Sequence, residues 1–222
     1  MSYGRIPRFA QIAVVTFACA MWGAVTPAPA QERPVKIVAF GDSLTAGYGL
    51  PAEAAFPVRL GKALAAKGVS AEIVNAGVSG DTTTGGLGRL DWSIPDGTEA
   101  VILELGANDA LRGIDPAVTR KALDGILTKL KERKIPVLLC GMYAPPNMGG
   151  AYVDAFSRLY SELATTHNVV FYPFFLDGVA ADEKLNQRDG IHPSAAGVDV
   201  IVARILPKVE ELIVRARAAR AS

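Results

Sequence analysis

The chain has 222 residues, with 23 lysines and arginines against 22 aspartates and glutamates, so its formal net charge is +1. That near balance excludes the strongly basic surface of nucleic-acid-binding domains, and we expect no nucleic-acid partner. Half of the residues are hydrophobic, which is sufficient for a full core in a domain of this length.

The first thirty residues differ from the rest of the chain. Two arginines precede an uncharged apolar stretch from residue 9 to residue 25, and Ala28-Pro29-Ala30 places small residues where a signal peptidase cleaves. We interpret residues 1–30 as a cleaved secretory signal. A membrane anchor is the alternative, but the apolar stretch falls short of the roughly 20 residues that cross a bilayer.

Removal of residues 1–30 leaves 192 of the 222 residues, which we interpret as a single domain spanning residues 31–222. Cys140 is the only cysteine in this part, so no disulfide can form within it. Because Cys140 lies in an apolar run, we predict a buried thiol that takes no part in chemistry.

Beyond residue 33, short apolar runs alternate with longer segments of helical period. This alternation indicates a parallel sheet covered on both faces, so we predict a three-layer α/β fold with five strands in the order 2-1-3-4-5. The predicted strands are residues 35–40, 71–76, 100–105, 136–142 and 169–172, and the predicted helices are residues 57–67, 83–90, 116–133, 153–167 and 194–217.

Polar clusters follow four of the predicted strands, at the end of the sheet where ligands bind in folds of this type. They are residues 41–44, 77–81, 106–109 and 189–193. Ser43 in the first cluster is a candidate nucleophile, although a turn serine is the alternative. A serine nucleophile needs a general base and a group that orients the base.

The chain has only two histidines, and they have different surroundings. His192 follows Asp189 by three residues, so one loop can carry both the base and its carboxylate; a solvated surface Asp and His is the alternative. His167 ends a predicted helix, where we expect it to cap the last carbonyls.

A tetrahedral intermediate also needs donors for its oxyanion. Gly80 can bring its backbone amide close, Asn108 offers a side-chain amide, and the Ser43 backbone amide is the third candidate. A turn glycine at position 80 and an Asx turn at position 108 are the alternatives. All three residues follow strands that border one crevice of the predicted sheet.

Rival assignments are weaker. Ser79 lies in a Gly-Val-Ser-Gly-Asp segment that lacks the last glycine of the GxSxG elbow, which also argues against an ordinary α/β-hydrolase. We expect Asp42, Asp81 and Asp109 to cap turns and helix starts. With no further histidine or cysteine at ligand spacing, we predict no metal.

The segments GDSL, NAGVSGDTT, LELGANDALRG and DGIHP, in this order, resemble the four conserved blocks of the SGNH hydrolases, or GDSL esterases and lipases. The resemblance implies the SGNH hydrolase fold and no cofactor. It also implies Ser43 as nucleophile, His192 as base and Asp189 as its partner, with Ser43, Gly80 and Asn108 forming the oxyanion hole.

Longer segments such as GDTTTGGLGRL and NVVFYPFFLDGV are similar to the thioesterase, arylesterase and lysophospholipase members of that family in the bacterial periplasm. The resemblance implies a serine hydrolase that cleaves carboxylic esters and thioesters of small molecules through an acyl-enzyme. It implies a periplasmic location, with secretion as the alternative. We expect a monomer with no stable membrane insertion after signal cleavage.

In this family the segment at residues 142–150 helps to line an acyl-binding groove, and here it is apolar. Phe174, Phe175 and Leu176 are candidates for the same groove, with a place in the core as the alternative. Two other functions stay open: a carbohydrate acetyl esterase with a short polar groove, and a non-catalytic lipid or glycan binder. The expected substrate-binding residues are Leu44, Leu111, Met142, Tyr143, Pro145 and Met148.

Overall fold

Five parallel strands form one sheet, and helices connect each strand to the next. The structure is a computed structural model that describes Met1, Tyr3, Gly4 and residues 33–221. Apart from those three positions, the predicted signal at residues 1–30 lies outside the described residues. The strands are β1 Val35–Gly41, β2 Ala71–Gly77, β3 Ala100–Glu104, β4 Val137–Cys140 and β5 Val170–Tyr172.

Seven α-helices accompany the strands in the described part of the chain. Most of them carry the apolar spacing that allows one face to pack on the sheet. They are α1 Ser43–Ala46, α2 Phe56–Ala66, α3 Thr83–Ser93, α4 Ala107–Leu111, α5 Pro116–Glu132, α6 Gly150–His167 and α7 Ala195–Ala221, with single 3₁₀ turns at Ala52–Ala54 and Pro146–Met148.

The strand order is β2-β1-β3-β4-β5, which confirms the predicted order and fold class. The chain moves outward from β1 to β2 and then back across the sheet to β5. Right-handed crossovers in opposite directions place helices on opposite faces. Accordingly, α2 packs against α7, whereas α3 packs against α5 and α5 against α6.

The pairing register brings four strand ends to one level of the sheet. Gly41 at the end of β1 is opposite Gly77 of β2 and Glu104 of β3, and Glu104 is opposite Cys140 of β4. Every side chain of β3 and β4 is buried, as their continuous apolar runs predict. The loops that leave these ends therefore start side by side.

The sequence prediction missed two helices, α1 and α4, because elements of four and five residues show no helical period. The strand predicted at residues 136–142 is shorter, since only Val137–Cys140 pairs with its neighbours. The last helix extends to Ala221 rather than residue 217. Among the described residues, no helix has the length and apolar character needed to cross a membrane.

Candidate active site

Ser43 is the first residue of α1, directly after β1 ends. Asp42 caps this helix, as expected, because its Oδ1 accepts from the Leu44 amide at 3.0 Å. The turn is tight: a Cβ on Gly41 would collide with Thr45 Oγ1 and with the backbone oxygen of Glu104. Glycine at position 41 is therefore required for the serine to leave the strand at this angle.

The structure brings Ser43, His192 and Asp189 together in a line. Ser43 Oγ lies 2.9 Å from His192 Nε2, and His192 Nδ1 lies 2.7 Å from Asp189 Oδ2. Because the carboxylate accepts a hydrogen bond from Nδ1–H, Nε2 of the neutral ring carries no proton and can accept from the serine hydroxyl. This geometry is that of an activated serine nucleophile.

Backbone amides hold the Asp189 carboxylate in its charged form. Asp189 Oδ1 accepts from the amides of His192 at 3.0 Å and Ile191 at 2.9 Å. These bonds, the one from His192 first, lower the pKa of Asp189 to about 2. The short Asp-x-x-His loop therefore fixes the carboxylate and orients the imidazole with the same few atoms.

Asn108 lies in α4, which is separated from β3 by Leu105 and Gly106 only. Gly106 turns the chain there with a φ of +119°, and a Cβ on it would collide with the hydroxyl of Tyr160. Asn108 Nδ2 donates to Asp42 Oδ2 at 3.1 Å, which directs the amide toward the turn that carries Ser43. Ser43 and Asn108 line the same cavity.

Gly80 lies in the loop after β2 and is not part of the cavity lining. Its φ of +80° is a left-handed conformation that favours glycine. Its carbonyl accepts from Arg112 Nη2 at 2.9 Å, which ties this loop to the end of α4. Among the described residues, the backbone amides of Gly80 and Ser43 have no hydrogen-bond acceptor.

Asp109 forms a second tie between the same two segments. It is buried, and it accepts from the Thr83 amide at 2.9 Å, from Thr83 Oγ1 at 2.5 Å and from Thr119 Oγ1 at 3.1 Å. As expected, Asp109 caps a helix start, because the Thr83 amide is the first of α3, and it also links α4 to α3 and α5. The link fixes the distance between the Gly80 loop and Asn108.

Arg89 of α3 joins the ends of β1 and β2 from below. Its guanidinium donates to Gly41 O at 2.8 Å and Ala76 O at 2.9 Å, and its Nε pairs with Asp81 at 2.6 Å. The group also lies 4.1 Å from the centre of the Phe40 ring. Asp81 therefore anchors this arginine and does not cap a helix, which the sequence did not indicate.

Two buried carboxyl groups, those of Glu104 and Asp42, lie next to the turn that carries Ser43. Glu104 Oε2 accepts from Thr45 Oγ1 at 2.7 Å, and Glu104 Oε1 is buried with no partner among the described residues. Burial, and then the nearby charge of Asp42, raises the pKa of Glu104 well above its usual range. Burial also raises the pKa of Asp42 to about 6, against the bonds from Leu44 and Asn108 that favour its charged form.

A cavity of about 780 Å³ opens at Ser43 and His192. That volume lies within the range of small-molecule sites. Among the residues that the structure describes, no acidic or basic side chain lines it except the imidazole of His192. Its lining comprises Ser43, Leu44, Ala107, Asn108, Ala110, Leu111, Met142, Tyr143, Ala144, Pro145, Pro146, Phe174, Leu176, Ala180, Ala181, Asn186, Gly190, Ile191 and His192.

The lining includes every expected substrate-binding residue except Met148. Met148 is half-buried beside Gly113, because the 3₁₀ turn at Pro146–Met148 directs it away from the cavity. Phe174 lines the cavity and stacks on Tyr143 with ring centroids 4.3 Å apart. Phe175 belongs to the core, where it packs edge-on against Phe56.

The second histidine is remote from this cavity. We expected His167 to cap the last carbonyls of its own helix. Its Nε2 instead lies 2.7 Å from Oδ1 of Asp124, a residue of α5. Cys140 is buried, as predicted. In the described part of the chain, no three His, Cys, Asp or Glu side chains cluster as metal ligands would.

Known proteins are similar to this chain over most of its length. Esterase TesA of Pseudomonas aeruginosa is 38% identical over 184 residues, covering 82% of this chain and 92% of that protein. Thioesterase 1/protease 1/lysophospholipase L1 of Escherichia coli K12 is 36% identical over 178 residues, covering 80% and 84%.

Among solved structures, that of AlinE4, an SGNH-hydrolase family esterase, is 46% identical with a TM-score of 0.69, covering 81% of this chain and 97% of that chain. Residues 39–200 match the family model of GDSL-like lipases and acylhydrolases. The resemblance seen in the sequence is thereby confirmed, and the chain belongs to the GDSL-like lipase/acylhydrolase family.

Proposed function

We propose that this protein is a carboxylic ester hydrolase that works through an acyl-enzyme on Ser43. The observation that carries the proposal is the hydrogen-bonded line from Ser43 through His192 to Asp189 at the mouth of an apolar cavity. The names of its relatives, an esterase and a thioesterase/lysophospholipase, support the same reaction class.

In the first half of the reaction, His192 Nε2 takes the Ser43 proton while Ser43 Oγ attacks the substrate carbonyl. Asp189 stabilises the imidazolium that forms, because its charged carboxylate accepts a hydrogen bond from Nδ1–H. The imidazolium then gives its proton to the leaving alcohol or thiol as the tetrahedral intermediate collapses. The product of this half is an ester on Ser43.

In the second half, His192 removes a proton from water, which attacks the acyl-enzyme. The proton returns to Ser43 Oγ as the acid leaves, so the enzyme recovers its starting state. In both halves we assign the oxyanion to the backbone amides of Ser43 and Gly80 and to Asn108 Nδ2. Donors fixed before the reaction lower its barrier because they need no reorganisation.

The acyl group of the substrate occupies the apolar cavity. Leu44, Leu111, Met142, Tyr143 and Pro145 line it, and each buried methylene of an acyl chain contributes about 0.8 kcal/mol. An acetylated carbohydrate would leave its hydroxyl groups without partners on such walls. The lining therefore favours acyl esters and thioesters over acetylated sugars.

We also propose that residues 1–30 are a signal that is removed on export and that residues 31–222 act in the periplasm as a monomer. The basic start, apolar stretch and small residues of that segment support export. N-terminal sequencing of the protein from a periplasmic extract tests this: a mature end at residue 31 is expected, whereas an intact N-terminus in the cytoplasm contradicts it.

Hydrolysis of p-nitrophenyl esters by wild type and Ser43→Ala tests the proposed reaction. We expect turnover by wild type alone, and a phosphonate ester that mimics the tetrahedral intermediate should add to Ser43 in the wild type. Mass spectrometry of the labelled peptide identifies the attacked residue. Equal rates in the two proteins, or a label on another serine, would refute the assignment.

A further inference from the structure

An exposed aromatic side chain, Tyr48, lies against the imidazole of His192. The two ring centroids are 4.6 Å apart, and the ring planes are inclined by 38°. We propose that Tyr48 is a positioning residue whose ring holds the His192 imidazole and stabilises the imidazolium that forms when Ser43 loses its proton. This inference rests on the proposed function, in which His192 is the base.

Burial does not account for the place of Tyr48, because the residue is 54% exposed. Its backbone is held instead by two left-handed glycines, Gly47 with φ +83° and Gly49 with φ +74°. A Cβ on Gly47 would collide with Ala55 Cβ, and a Cβ on Gly49 would collide with Gln187 Oε1. Glycine on both sides therefore permits the turn that brings the ring to His192.

Gln187 fastens this turn to the loop of the base. Its Nε2 donates to Tyr48 O at 2.8 Å and to Pro193 O at 3.0 Å, while its backbone amide donates to His192 O at 2.7 Å. One side chain thus bridges the backbone of Tyr48 and the backbone beside His192. The contact between the two rings is built from both sides and is not a chance encounter of surface groups.

The face of an aromatic ring attracts a positively charged imidazolium more strongly than it attracts a neutral imidazole. His192 is neutral before the reaction and carries a positive charge while the tetrahedral intermediate exists. The contact with Tyr48 is therefore stronger in the transition state than in the substrate complex. An interaction of that kind raises kcat and leaves KM nearly unchanged.

Two carboxylates also face His192, and they stay in place when Tyr48 is changed. Asp189 accepts from Nδ1, and Asp42 lies in the turn that carries Ser43. Removal of the Tyr48 ring leaves both carboxylates, so a change in how readily His192 takes up a proton can be attributed to the ring. The acidic limb of the pH profile of kcat/KM reports this change as the difference between Tyr48→Leu and wild type, because Asp42, whose pKa burial raises to about 6, is present in both proteins.

The test compares Tyr48→Leu, Tyr48→Phe and the matched control Trp92→Leu, which removes a ring that is 75% exposed on α3 and outside the cavity. The kinetics use p-nitrophenyl butyrate from about pH 5 to about pH 9, across the range in which histidine titrates. For Tyr48→Leu we expect kcat to fall by about 3-fold to 30-fold, the strength of a cation–π contact. Its acidic limb should move to lower pH, and Tyr48→Phe should recover most of kcat.

The inference is overturned if Tyr48→Leu matches Trp92→Leu in kcat and in the acidic limb. It is also overturned if only KM rises, because Tyr48 would then be a substrate contact. Thermal unfolding of each variant, with an unchanged midpoint, keeps loss of folding apart from loss of rate. Wild type that is no faster than Ser43→Ala would refute the proposed function itself, whereas an active wild type with an unaffected Tyr48→Leu refutes this inference alone.

Discussion

Asn108 donates from Nδ2 to Asp42 Oδ2 at 3.1 Å, across the ends of two neighbouring strands. The residue beside the nucleophile thus orients the side chain that we assign to the oxyanion. Asp42 is itself fixed by the Leu44 amide, so the serine and the Asn108 donor are set by one carboxylate. The spacing between nucleophile and donor is therefore built into the fold before substrate binds.

Asn108→Ala should reduce kcat by about 10²-fold to 10³-fold, as the loss of one oxyanion donor does elsewhere. KM should change little, because the donor acts on charge that develops in the transition state. Steady-state kinetics on a p-nitrophenyl ester measures both constants. Asn147→Ala is the control, since Asn147 is exposed and outside the cavity lining; an unchanged kcat in Asn108→Ala would contradict the oxyanion role.

The free energy of unfolding of Glu104→Gln, compared with that of wild type, should increase as pH rises. The raised pKa of Glu104 means that the folded state holds a proton that the unfolded chain releases above the usual glutamate range. Wild-type stability therefore falls with rising pH across that window, and the neutral amide removes this dependence. Urea unfolding from about pH 5 to about pH 9 measures the difference between the two proteins.

The control for that series is Glu53→Gln, which neutralises an exposed glutamate. Its unfolding free energy should run parallel to that of wild type. A Glu104→Gln curve that is also parallel would show that Glu104 binds no extra proton in the folded state.

The sequence predicted the strand order and the places of Ser43 and Asn108 after β1 and β3, because apolar runs mark where buried strands end. His192 was predicted from its spacing from Asp189 in one loop. The sequence did not predict the role of Glu104, which lies between Leu103 and Leu105 and accepts from Thr45 Oγ1 and the Asp42 amide, both from the segment that follows β1. The sequence also did not predict the bridge formed by Gln187. One of its carbonyl partners, Tyr48, is distant in sequence, and the other, Pro193, lies in an irregular loop. Contacts of this kind depend on tertiary packing, which local patterns do not encode.

Asp189→Asn should lower kcat by up to about 10⁴-fold, the effect of the same change in a chymotrypsin-type triad. Because the pKa of Asp189 is about 2, its carboxylate stays charged from about pH 5 to about pH 9, the range of the kinetic measurements. The acidic limb of wild-type activity should therefore contain no step from Asp189 above about pH 4, whereas Asp42, whose pKa burial raises to about 6, can contribute to it.

The lowered pKa of Asp189 also has a stability consequence with a defined sign. The carboxylate contributes stability above its usual range near 3.8, and that contribution is lost as pH falls toward 2. Asp154→Asn on the exposed face of α6 is the matched control for both measurements. A variant Asp189→Asn with wild-type kcat would show that the imidazole needs no carboxylate partner.

Ala180→Phe should shorten the acyl chain that the enzyme prefers. Ala180 lines the cavity together with Leu176 and Phe174, and a phenyl ring there would occupy space that a long acyl chain needs. In wild type, kcat/KM should rise by up to about 4-fold per methylene until the cavity is filled. The series of p-nitrophenyl esters with acyl chains from two to about twelve carbons measures the profile.

In Ala180→Phe the rise should stop at a shorter chain while the acetate ester is hydrolysed at the wild-type rate. Ala52→Phe adds the same ring at an exposed position outside the cavity and should leave the profile unchanged. If Ala180→Phe kept the wild-type profile, the acyl chain would have to lie along another part of the cavity wall.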